Sequence, residues 1–154
     1  MTLEEQYDRI FRYLYYRLHD KDLAEDLTQE VFLRFLGSRT YQSENRQLQY
    51  LYTIARNLIA QHYRDKVTAY SLEEAPDAAS EENFEQSLLE QIILRNAVRR
   101  LSPEEREMLF LRYVNDVPVA VMSSLYGISR FSMYRKLGQI LKKLRMEWKE
   151  MQDA

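Results

Sequence analysis

Asp22, Glu25, Asp26, Gln29 and Glu30 recur at intervals of three or four residues, which puts them on adjoining turns of one helix. Carboxylates gathered in this way could hold a divalent metal or share acid and base roles. A helical di-metal centre also needs Glu-x-x-His pairs, and the two histidines, His19 and His62, do not have that spacing. The plainer reading is a solvated acidic face, favoured by acids near a helix N-terminus. The absence of cysteine excludes a thiolate metal site and a disulfide framework, and makes a reducing cytoplasm the natural home.

A second group runs from Tyr41 to Arg64, where Tyr41, Tyr50, Tyr52 and Tyr63 alternate with Asn45, Arg46, Arg56, Asn57 and Arg64. Single-stranded DNA is held by such mixtures, because each base stacked on an aromatic ring contributes about 1 to 3 kcal/mol while arginine follows the backbone. Tyrosines equally serve as core residues with a hydroxyl at the surface. Both uses are expected, by different tyrosines.

The third group is a short helix over Pro118 to Leu125, the turn Tyr126-Gly127-Ile128, and Ser129 as N-cap of a long helix from Arg130 to Trp148. Gly127 can take the positive φ that such a turn requires. Val121, Leu125, Ile128, Met133, Leu137, Ile140, Leu141 and Leu144 would hold the two helices together. Arg130, Phe131, Ser132, Tyr134, Arg135 and Lys136 then face outward, with Lys142 further along. Six basic residues and no acid lie between Ser129 and Arg145. A helix so charged fits the major groove, where arginine reaches guanine bidentately. A helical hairpin with a solvated basic face is the competing reading.

Helices must position all three groups. Thr2 and Glu5 have capping-box spacing, and Leu3, Tyr7, Ile10, Phe11, Leu14, Tyr15 and Leu18 form the apolar stripe of a first helix. After a break at His19-Asp20, Leu23, Leu27, Val31, Phe35 and Leu36 mark a second, with Gly37-Ser38 as an expected left-handed terminus. Arg39 to Gln47 reads as a loop. Leu51, Ile54, Ala55, Leu58, Ile59 and His62 are the buried stripe of a third helix, and Tyr52, Thr53, Arg56, Asn57, Ala60 and Arg64 its other face. Residues 68–83 have the composition of a flexible acidic linker. Phe84, Leu88 and Ile92 open another helix, and Ser102-Pro103-Glu104-Glu105 supplies an N-cap, an N1 proline and an N3 glutamate for the next.

The net charge of −2 conceals this segregation, since the charges from Ser71 to Glu90 are all acidic. No apolar run approaches the roughly 20 residues that cross a bilayer, and no signal peptide is visible. The expected fold is all-α, with two small helical domains at 1–67 and 84–154.

In this order the three groups resemble the extracytoplasmic-function class of bacterial sigma factors, which direct RNA polymerase to promoters. Asp22 to Phe32 is similar to the family's D-x-A-E-D-L-x-Q-E-x-F segment, and Tyr52-Thr53-Ile54-Ala55-Arg56-Asn57 to its L-Y-x-I-A-R-N. Leu101-Ser102-Pro103, Ile128-Ser129 and Lys142-Lys143-Leu144-Arg145 complete the match. The resemblance implies a region 2 domain and a region 4 domain that bind core polymerase through the β′ clamp helices and the β flap. Asp22, Glu25, Asp26, Gln29 and Glu30 would face the clamp helices. Tyr41, Asn45, Arg46, Tyr52, Arg56, Asn57 and Arg64 would recognise and open the minus-ten element. Ser129, Arg130, Phe131, Ser132, Tyr134, Arg135, Lys136 and Lys142 would read the minus-thirty-five element.

The resemblance further implies no cofactor, no metal, no membrane insertion and no catalysis by this chain, with an anti-sigma protein as a candidate partner. The chain departs from the family pattern at Pro118 to Ser124, at the bulky Arg130-Phe131, and at Gln47-Leu48-Gln49-Tyr50. Two rivals remain at the level of sequence. One is a helix-turn-helix repressor or activator with a sensing or dimerising N-terminal domain, and the other is a metal-dependent helical enzyme built on the acidic cluster.

Overall fold

The computed structural model describes residues 2–38, 43–69 and 88–153, and every regular element among them is helical. The chain divides into two compact units, Met1–Ala78 and Ala79–Ala154.

The first unit holds α1 (Leu3–Leu18), α2 (Lys21–Gly37) and α3 (Glu44–Ala69), each packed on the other two. Thr2 caps α1, its hydroxyl oxygen accepting from the Glu5 amide at 3.1 Å. His19 ends it in the left-handed region at φ 59°, donating its amide to the Tyr15 carbonyl at 2.8 Å. Asp20 at once caps α2 by accepting from the Leu23 amide at 3.1 Å. The break at His19-Asp20 is thus a stop and a start with no loop between.

The terminus of α2 differs from expectation. Gly37 is the last helical residue, and the chain leaves through Ser38 at φ −85°, so no left-handed glycine is used there. The polar stretch after it is also shorter than expected, because α3 begins at Glu44 with the Ser43 hydroxyl 3.4 Å from the Arg46 amide. At its other end α3 runs through Thr68 and Ala69. Residues 70–83 of the acidic linker lie outside the described residues.

Ile10, Tyr13 and Leu14 of α1, Ala24, Val31 and Phe32 of α2, and Leu48, Leu51, Tyr52, Ala55 and Ile59 of α3 form the core of this unit. Thr28 is buried among them and donates its hydroxyl to the Ala24 carbonyl at 2.6 Å, which satisfies a polar group that burial would otherwise penalise. The Tyr63 hydroxyl donates to the Arg17 carbonyl at 2.9 Å, tying α3 to the last turn of α1. Leu3, Tyr15 and Leu36, expected on the core stripes, are instead exposed.

The second unit holds α4 (Leu88–Arg99), α5 (Pro103–Leu109), α6 (Val119–Tyr126) and α7 (Arg130–Asp153), with α7 packed on the other three. Ser102 and Glu105 form the full capping box, with bonds of 3.1 and 2.9 Å, and Pro103 stands in the first turn. The helix then widens over Phe110–Val114 into a π turn, which the sequence pattern does not announce. Asp116 leaves that turn at φ 52°, and the Val117 amide donates to the Leu111 carbonyl at 2.9 Å.

Gly127 joins α6 to α7 at φ 68°, the left-handed conformation anticipated for it. The Ile128 amide closes the turn on the Ser123 carbonyl at 3.0 Å, and Ser129 caps α7 by accepting from the Ser132 amide at 3.1 Å. Val121 and Met122 of α6 meet Met133, Leu137 and Ile140 of α7 in a core that also takes in Leu101, Met108, Leu111 and Val117. Glu107 is buried there, and Tyr126 donates its hydroxyl to the Glu107 carboxylate. Two ion pairs fix the far half of α7: Lys143 to Glu105 at 2.7 Å and Arg100 to Glu147 at 2.6 Å.

Candidate functional site

On α2, burial of Ala24, Thr28, Val31 and Phe32 turns the opposite side of the helix to solvent. Asp22, Glu25, Asp26 and Gln29 are exposed on it and Glu30 lies at its edge, its carboxylate 2.8 Å from the Arg34 guanidinium. Sequence reasoning missed what continues this stripe. Leu33 and Leu36 are 68% and 60% exposed, and they extend the three- and four-residue spacing of Asp22, Asp26 and Gln29 along the same side. The face is therefore acidic at its N-terminal end and apolar at its C-terminal end. The spacing alone could have revealed it, had Leu36 not been assigned to the core. Among the described residues no group of three or more His, Cys, Asp and Glu side chains could hold a metal ion.

On α3, the outward side carries Asn45 and Arg46 in the first turn, then Thr53, Asn57 and Arg64, with Arg56 half-buried at its margin. Asn45 and Arg46 were expected in a loop; the helix holds them in a fixed register with the residues further along. Tyr41 lies outside the described residues. Tyr52 is a correction, because its side chain is fully buried and its ring meets that of Tyr13 edge-on with centroids 5.5 Å apart. It is a core residue and presents no face to a base.

On α7, Met133, Leu137 and Ile140 face inward, and Arg130, Phe131, Tyr134, Arg135, Lys136 and Lys142 face solvent. Ser129 and Ser132 are drawn into the cap, their hydroxyls 3.2 Å apart. Arg135 lays its guanidinium carbon 5.7 Å from the centroid of the Phe131 ring. Lys143, though within the basic run, is engaged by Glu105. That contact and the Ser102 amide hold the Glu105 carboxyl below the usual carboxylate range.

The segments that carry the acidic face of α2 and the basic side of α7 both fall within stretches similar to known proteins. The family models for sigma-70 region 2 and sigma-70 region 4 match residues 3–68 and 91–144. The chain is 31% identical over 138 residues to the RNA polymerase sigma factor CarQ of Myxococcus xanthus, an alignment covering 81% of this chain and 78% of that one. It is 39% identical over 137 residues to the ECF RNA polymerase sigma factor BldN of Streptomyces coelicolor, covering 81% of this chain.

The chain belongs to the extracytoplasmic-function (ECF) family of RNA polymerase sigma factors.

It spans 51% of the length of BldN. The fold of this sigma factor is shared by the sigma factor RpoE of Bartonella quintana, solved in complex with the anti-sigma factor NepR, with a TM-score of 0.56 at 13% identity over 94% of this chain and 92% of that one. Its two units are the region 2 and region 4 domains of an alternative sigma factor, a class of proteins that direct transcription initiation. No helix among the described residues is long and apolar enough to cross a membrane.

Proposed function

We propose that this sigma factor divides its work among three charged faces, with residues 1–67 engaging core polymerase through the acidic side of α2 and the minus-ten element through the arginine-bearing side of α3, and residues 84–154 engaging the minus-thirty-five element through the basic side of α7. The observation that carries this reading is that the acidic side of α2 and the basic side of α7 each stand opposite the packed stripe of their own helix, so a partner can cover them without disturbing the core.

In this reading Asp22, Glu25, Asp26, Gln29 and Glu30 meet the β′ clamp helices, and Leu33 and Leu36 give that interface an apolar end. Charged groups set partner choice and encounter rate, while apolar area removed from water contributes about 25 cal/mol per Å2. Asn45, Arg46, Arg56, Asn57 and Arg64 follow the non-template strand as the minus-ten element opens. The outward side chains of α7 enter the minus-thirty-five major groove, with the rest of region 4 against the β flap. The polymerase supplies the chemistry of RNA synthesis, and the sigma factor works in the cytoplasm without a cofactor. A protein that covered the acidic face of α2 or the basic face of α7 would act as an anti-sigma factor.

Charge reversal tests the assignment. Glu25→Lys with Asp26→Lys should leave circular dichroism unchanged, because both side chains are exposed, and should weaken co-purification with core polymerase at least about tenfold, as truncation or reversal at a charged interface does. Undiminished capture of core enzyme would return the acidic face to a solvated surface.

A further inference from the structure

We propose that Phe131 and Arg135 of α7 act as one reading unit for a thymine next to a guanine, Phe131 lying on the thymine methyl and Arg135 donating to guanine O6 and N7. The inference rests on the proposed placement of α7 in the minus-thirty-five major groove and names what it reads there.

Phe131 is 74% exposed, more than any other large apolar side chain among the described residues. The packed stripe of α7 is complete without it, since Met133, Leu137 and Ile140 fill the side facing α6. An apolar ring held in water at this position gains nothing for the fold. Arg135 stands one turn further along, its guanidinium carbon over the Phe131 ring at 5.7 Å from the centroid, a cation–π contact that favours keeping the donor group beside the ring.

The charge of Arg135 is also uncommitted. Elsewhere in this domain Lys143 is paired with Glu105 and Arg100 with Glu147, whereas among the described residues no carboxylate pairs with Arg135. No acid lies within the stretch from Ser129 to Arg145. An unneutralised donor fork beside an exposed apolar edge fits the major-groove edges of two bases. Guanine presents two acceptors that a guanidinium meets bidentately, and thymine alone presents a methyl group. Neighbouring bases on a strand are about 3.4 Å apart along the helix axis, within the reach of two side chains one helical turn apart. A phosphate would bind Arg135 but would leave the ring of Phe131 with nothing to contact, which is why the pair points to base edges.

The test uses the full chain bound to core polymerase. Duplexes randomised across the minus-thirty-five region are selected for holoenzyme binding, and the enriched thymine and guanine are then replaced by 2′-deoxyuridine and 7-deazaguanine. Removing the methyl group should weaken binding by the wild-type holoenzyme about fourfold, the effect of one buried methyl. Phe131→Ala should bind the thymine and deoxyuridine duplexes equally. Arg135→Ala should lose about fivefold or more of the discrimination against 7-deazaguanine while Phe131 still senses the methyl. Both variants should keep the wild-type circular dichroism, as both side chains are exposed. Enriched sites without a thymine beside a guanine, or a Phe131→Ala variant that still distinguishes thymine from deoxyuridine, would overturn the pairing while leaving promoter recognition by α7 intact. A selection that enriches no sequence at all would overturn promoter recognition by α7, and the pairing with it.

Discussion

Tyr13 and Tyr52 meet edge-to-face across α1 and α3 with ring centroids 5.5 Å apart, and neither side chain reaches solvent. A ring in that position contributes apolar burial and a favourable quadrupole contact, and it is lost to DNA. Tyr52→Ala should lower the stability of region 2 by about 3 to 5 kcal/mol in chemical denaturation, the usual cost of removing a buried aromatic side chain. Tyr52→Phe, which keeps the ring, should cost no more than about 1.5 kcal/mol. A Tyr52→Ala variant with an unchanged denaturation midpoint and a defect only in strand opening would restore the tyrosine to the DNA interface.

Tyr52 also shows where sequence reading runs out. Its neighbours Thr53, Arg56 and Asn57 are polar, so its type and position suit a DNA face as well as a core; only its contact with a tyrosine on another helix decides between them. Leu36 erred in the opposite direction, since an apolar residue at helical spacing reads as core until the packing of α2 is known. The π turn at Phe110–Val114 has no sequence signature either, because its residues suit an ordinary helix. Where a local interaction fixes the outcome, the spacing is informative: Ser102 with Glu105 forms the full box, Gly127 takes its positive φ, and Thr2 caps α1 through the Glu5 amide, its hydroxyl turned to the Glu5 carboxylate. The exposed basic side of α7 was equally legible, because its apolar positions leave no other orientation for Arg130 and Arg135.

The first-turn positions of Asn45 and Arg46 bear on promoter opening. They share a helix with Asn57 and Arg64, so in the proposed reading all four would follow one strand, and contacts to unpaired bases contribute only once the duplex has parted. Replacing Arg46 together with Asn45 by alanine should therefore reduce permanganate reactivity of minus-ten thymines while leaving closed-complex affinity nearly unchanged. Equal loss at both stages would assign these residues to duplex binding.

Acid sensitivity should appear in region 4. The Lys143 ammonium and the Ser102 amide favour the ionised form of Glu105, so the folded-state pKa lies below the unfolded one. Stability from this contact is present above the ordinary carboxylate range and is lost as pH falls through the lowered folded-state value. Glu105→Gln should flatten that acid limb in thermal unfolding followed against pH. Ser102→Ala, which removes the cap hydroxyl, should cost about 1 kcal/mol at neutral pH. An acid limb of unchanged steepness in Glu105→Gln would show that the carboxylate does not report on folding.

In the proposed reading the two domains of this sigma factor act together only on the polymerase. Among the described residues, α7 is the helix proposed to meet duplex DNA, the α3 contacts coming into play once the strands part, whereas core enzyme would hold both domains at a fixed spacing and raise the effective concentration of the second contact once the first is made. The most direct measurement compares promoter binding and transcript formation by the purified chain, by core polymerase, and by the two mixed. Weak, salt-sensitive binding by the chain alone, with promoter-specific transcripts only in the mixture, is the predicted result. Tight, specific duplex binding by the free chain, with no promoter-specific transcript when core enzyme is added, would contradict it.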